Sequence, residues 1–96
     1  MQIELYSISY EDYKSAVLNA LENGGNVTPE SGVVRFFQPL QPLTDFLYRK
    51  FQIYNDLLTQ DIDLANLLIR LTKGKIKNAC IGTTADKGFY LSYCCD

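Results

Sequence analysis

The chain has 96 residues, 47% of them hydrophobic and 21% charged, with a formal net charge of −2. That length fits one domain, since domains typically hold ~100–150 residues. The composition excludes long disorder, a collagen-like repeat and a disulfide scaffold, and the near-neutral total provides no global field for gripping nucleic acid.

In chain order, Ile3, Leu5 and Ser7 alternate with Glu4, Tyr6 and Ile8, a period of two that predicts a first strand over 2–8. Ser9 then offers a capping oxygen, with Glu11 and Asp12 in the first turn, where negative charge suits the helix dipole. Tyr13, Val17 and Leu21 recur at a spacing of four, with Ala16 and Ala20 beside them, and predict a helix over 10–22. Asn23-Gly24-Gly25 ends it cheaply, because these residues tolerate the left-handed cap. A polar stretch over 23–32 reads as a loop, and Val33-Val34-Arg35-Phe36-Phe37 as a second strand. Pro39 and Pro42 stop that strand, having no N–H to donate to a ladder.

Thr44 and Asp45 open the next helix. Leu47, Phe51, Tyr54 and Leu58 form one apolar stripe, and Phe46, Ile53 and Leu57 widen it, an arc that implies a helix packed on two sides. Thr59-Gln60-Asp61 offers a break and a new cap, and Leu64, Leu67, Leu68 and Leu71 continue as a third helix up to Lys73, with Gly74 after it. An unbroken helix over 45–73 would be ~43 Å long at 1.5 Å per residue, too long for so small a domain, so separate helices over 44–58 and 61–73 are expected. Lys75–Ile81 and Phe89–Cys94 read as a hairpin around a polar loop, 82–88. Phe89, Leu91 and Tyr93 then face the core, and Tyr90 and Ser92 face outward.

The order is therefore β-α-β-α-α-β-β, an α+β domain over residues 1–96. Its sheet should hold three or four mostly antiparallel strands with the helices packed on it, and burying the first strand centrally would let the first helix cover one sheet face.

The chain contains no histidine. That removes the commonest general base, the Ser-His and Cys-His pairs and most zinc sites, so no catalytic residue, metal or cofactor is expected. Asp61 and Asp63 stand two apart, a spacing that does not bring side chains together on a helix, and they fit capping better than acid–base work. Glu11 and Asp12 read the same way. Cys80, Cys94 and Cys95 are too few for a four-thiolate site and lack an activating base nearby, so they read as small apolar side chains and a frayed terminus. The Gly82–Gly88 loop does not match a phosphate loop, because its lysine precedes the second glycine and a strand follows. No leader-like or membrane-length apolar run occurs, and an odd cysteine count argues against a secreted framework, so a cytoplasmic protein with free thiols and no membrane contact is expected.

Two binding readings remain. The first is a small non-enzymatic protein that regulates or inhibits a larger protein partner, in the manner of a viral or mobile-element accessory protein. The surplus of apolar and aromatic residues on the 44–73 helices supports it, with Phe46, Tyr48, Ile53 and Leu57 as the contact surface and a homodimer seam as a variant of the same idea. The second is nucleic-acid binding. Residues 1–69 carry four basic residues and nine acids, whereas residues 70–96 carry five basic residues and two acids. Arg70, Lys73, Lys75, Lys77 and Lys87, with Tyr90 as a stacking ring, form the candidate set.

Overall fold

Ser9 starts the first helix as its side chain suggests. Its Oγ accepts the Asp12 N–H at 3.2 Å and its carbonyl accepts that of Tyr13 at 2.9 Å, which launches α1 (Tyr10–Gly24). The computed structural model describes residues 7–24, 26–38, 43–86 and 88–96. Within them α1 is followed by β1 (Gly32–Phe37), α2 (Asp45–Thr59), α3 (Ile62–Leu71), β2 (Ile76–Thr84) and β3 (Gly88–Cys95). The strand expected over 2–8 lies outside the described residues apart from Ser7 and Ile8, which carry no strand.

The three described strands form one antiparallel sheet in the order β1-β3-β2. Among the described strands the central place is held by β3, the last one. Its residues justify the position. Phe89, Leu91 and Tyr93 are buried on one face, and such a strand gains most when neighbours on both sides satisfy its backbone. Val34 pairs with Leu91 from one side and Ile81 from the other, so all three strands add to the same apolar face. The opposite face carries Val33, Arg35, Cys80 and Cys94, all exposed.

The helices cover the apolar face. Tyr13, Val17 and Leu21 of α1, Leu47, Phe51 and Leu58 of α2, and Leu64, Leu67 and Leu68 of α3 join it in one core. An aromatic cluster fixes the centre: Phe89 lies 5.1 Å from Phe51, 5.0 Å from Phe37 and 5.9 Å from Tyr13, centroid to centroid. Tilted and edge-on arrangements of this kind add to simple burial.

The break between α2 and α3 falls where capping chemistry puts it. Thr44 Oγ1 accepts the Leu47 N–H at 3.3 Å at the start of α2, and Asp61 Oδ1 accepts the Asp63 N–H at 2.9 Å at the start of α3. Between them the Asp61 N–H returns to the Leu58 carbonyl at 3.0 Å.

The hairpin and the C-terminus depart from expectation. Gly82, Thr83 and Thr84 pair with Tyr90, Phe89 and Gly88, so most of the loop expected over 82–88 is strand, and β-branched Thr83 and Thr84 suit that state. Gly88 closes the ladder at φ +77°, where an added Cβ would stand 2.5 Å from the Phe37 carbonyl oxygen. Cys94 and Cys95 are not frayed. They pair with Asn78 and Ile76, and the Asp96 N–H reaches the Lys75 carbonyl at 2.8 Å.

Candidate protein-interaction site

Helix α2 carries apolar side chains on two faces, and the fold covers one. Leu47, Phe51, Asn55 and Leu58 form the buried face. At 100° per residue, Phe46, Ile53 and Leu57 cluster on the side away from it. Their exposures are 67%, 61% and 52%, so the second packing surface implied by the sequence is open to solvent. Lys50 lies on the same stripe, but its ammonium sits 5.7 Å from the Tyr54 ring centroid, drawn sideways off the apolar residues. The result is a stripe of three large hydrophobic groups along three turns of a rigid helix.

Tyr48, the fourth expected contact residue, is half-buried and belongs to a different feature. It lines a groove of about 630 Å³ between α2 and β2, together with Gln52, Ile53, Asn55, Thr83 and Tyr90. The structure thereby brings Tyr90, expected on nucleic-acid grounds, beside Tyr48, expected on protein-contact grounds. Gly82 makes this possible, because a Cβ there would overlap the Tyr90 ring that crosses strand β2 at that point.

The floor of the groove is a buried polar chain that the sequence does not announce. Tyr13 Oη donates to Asn55 Oδ1 at 2.6 Å, and Asn55 Nδ2 donates to Thr83 Oγ1 at 2.6 Å. Burial pushes the Tyr13 hydroxyl well above the usual tyrosine range, so it stays protonated and a donor at any ordinary pH. Asn55 replaces an apolar residue in the buried stripe, and only the joint burial of Tyr13 and Thr83 explains why.

A second polar cluster pins α1 to the start of α3. Lys14 Nζ lies 3.1 Å from Asp61 Oδ2 and 2.7 Å from Asp63 Oδ2, and Tyr10 Oη donates to Asp61 Oδ2 at 2.8 Å. The Asp63 backbone N–H, and after it Tyr10 and Lys14, hold the Asp61 carboxyl below its usual range. The carboxylates thus cap a helix and bind a lysine. Among the described residues no group of three or more metal-ligating side chains occurs.

The basic set is spread over two places. Arg70 pairs with Glu22 at 2.7 Å and Lys77 with Asp96 at 3.4 Å. Lys73 and Lys75 are exposed between α3 and β2, and Lys87 lies outside the described residues. Tyr90 stands opposite Gly82, about 17 Å along the strand from Lys77 at 3.4 Å per residue. Cys80 and Cys94 are exposed on the open sheet face, and Cys95 is half-buried.

No family model, no curated protein and no solved structure matches this chain.

Proposed function

We propose that the chain is a small non-enzymatic protein-interaction module that regulates or inhibits a larger protein partner, docking through the outer stripe of α2. The observation that carries this reading is the exposure of Phe46, Ile53 and Leu57 together on a helix whose other face is locked into the core. Single exposed apolar residues need no explanation, but three aligned over three turns form the kind of anchor row that helical interfaces use. Burying such side chains releases about 1.5–3 kcal/mol each at full desolvation, enough to make them dominant contacts. Half-buried Tyr48 lies on the far side of the groove that Ile53 also lines, so Ile53 is the member of the row that connects it to Tyr48.

Affinity capture from the native host, with and without nuclease, tests this. The wild-type chain is expected to retain a stoichiometric protein that survives nuclease, and alanine variants at Phe46, Tyr48, Ile53 and Leu57 to lose it. Retention unchanged across all four variants overturns the site. Recovery of nucleic acid alone, or of proteins released by nuclease, overturns the function in favour of Arg70, Lys73, Lys75, Lys77, Lys87 and Tyr90.

A further inference from the structure

We propose that the groove between α2 and the free edge of β2 binds an extended peptide segment of a partner protein as an added strand. This goes beyond docking through the outer stripe: it concerns the flank of α2 that faces β2, and a different chemistry, main-chain pairing.

Among the described residues, the sheet order leaves one side of β2 without a strand neighbour. The Ile81 N–H points to that side, toward Thr59 Oγ1 at 3.5 Å. In an antiparallel strand, alternate residues turn both backbone groups the same way. Thr83 therefore presents its N–H and C=O to the same free edge. Thr59 meets Ile81 and Asn55 meets Thr83, so α2 and β2 run antiparallel, closed at the Thr59 end. The groove occupies the stretch from there to Tyr48 and Thr84.

Its dimensions suit a chain in the extended state. From Tyr48 to Asp56 the helix wall spans about 12 Å, and from Ile81 to Thr84 the strand wall spans about 10 Å, room for three or four extended residues. Ile81 and Thr83 line it from one face of the sheet, Gly82, Thr84 and Tyr90 from the other, so the cleft follows the strand edge itself. Buried Asn55 and Thr83 form its floor, and their hydrogen-bond chain from Tyr13 fixes both side chains in place.

Charge selects the occupant. Arg49 and Asp56 stand on the rim at opposite ends, and among the described residues neither has an ion-pair partner. The fitting segment carries an acidic residue toward Arg49 and a basic one toward Asp56, with short uncharged residues between. A second copy pairing β2 to β2 fits poorly, because each β2 edge has its own α2 beside it and the slot holds one strand.

The test uses a display library of unconstrained eight-residue peptides as probe, selected on the intact chain, with recovered peptides titrated into isotope-labelled protein. Expected are peptides whose binding protects the Thr83 amide from hydrogen exchange about tenfold or more. N-methylation of the peptide residue opposite Thr83, side chain unchanged, should weaken binding at least about tenfold, which docking through side chains alone would not show. Phe46→Ala and Leu57→Ala should leave this affinity unchanged, so failure here and failure of the outer stripe are separable. The proposal is overturned if no peptide is recovered, if binding shifts the outer face of α2 or the open sheet face instead, or if N-methylation has no effect.

Discussion

The Tyr13–Asn55–Thr83 chain should be worth more to the fold than any contact on the surface, and Asn55→Ala measures it. The substitution removes two hydrogen bonds of 2.6 Å, each contributing about 1 kcal/mol net. It also leaves the fully buried Tyr13 hydroxyl without an acceptor, a desolvation penalty of about 1–3 kcal/mol. Alanine returns roughly half a kcal/mol through better helix propensity. The net expectation is a loss of about 3 kcal/mol, from a total of about 5–14 kcal/mol for a domain of this size. In thermal denaturation that is a fall in Tm of about 12–24 °C. Urea unfolding of Tyr13→Phe, Asn55→Ala and the double variant then separates the pair term. Adding Tyr13→Phe to the Asn55→Ala background removes the stranded hydroxyl, so the double variant should be no less stable than Asn55→Ala alone, a coupling of at least about 1.5 kcal/mol. Energies that add to within about 0.5 kcal/mol would refute the linked chain, and so would an Asn55→Ala cost below about 1 kcal/mol.

The remaining predictions concern the groove and the charged clasp. Gly82→Ala should turn the Tyr90 ring off β2 and cost about 0.5–1 kcal/mol of cross-strand contact; unchanged Tyr90 ring resonances in the variant would contradict the packing described. Stability should hold between about pH 5 and 9.5 and fall on both sides. On the alkaline side Tyr10 is pushed up to about 12 by burial and by its bond to Asp61, and Lys14 is raised further by Asp63 and Asp61. The native state then keeps protons that the unfolded chain releases above about pH 10, so stability drops as pH rises. On the acid side Asp61 is lowered, and its contribution is lost as pH falls below about 4 through the folded value. Asp61→Asn preserves the cap and removes the charge, so its acid limb in denaturant midpoints should be shallower than that of the wild type; an identical limb would exclude Asp61 as its source.

Much of the fold was legible because it rests on local chemistry. The Ser9, Thr44 and Asp61 caps set the helix starts, and period-four and period-two patterns identified α1 and β3 with their buried sides. What local chemistry cannot supply is strand order. Nothing in the residues 76–95 states that β3 takes the centre, because edge and central strands differ in their partners before they differ in composition. The loop expected over 82–88 gives way to strand for a related reason. Its glycines resemble turn residues until Tyr90 and the Phe37 carbonyl are placed against them, and only then do Gly82 and Gly88 become positions where a side chain would collide within a ladder.

The same distinction governs the site. Helical periodicity counts apolar residues around α2 but does not say how many neighbours the helix has. Leu47, Phe51 and Leu58 are satisfied by the sheet and α1, so Phe46, Ile53 and Leu57 remain as an uncovered surface. A polar Asn55 inside the buried stripe breaks the pattern, and it does so where α2 meets Thr83 at the floor of the groove. An apolar residue there would make a better core and leave Tyr13 and Thr83 without their shared partner. The break in the hydrophobic pattern was therefore the one local sign of the groove. It became readable only once Tyr13, 42 residues away, supplied the donor that makes a buried asparagine stable.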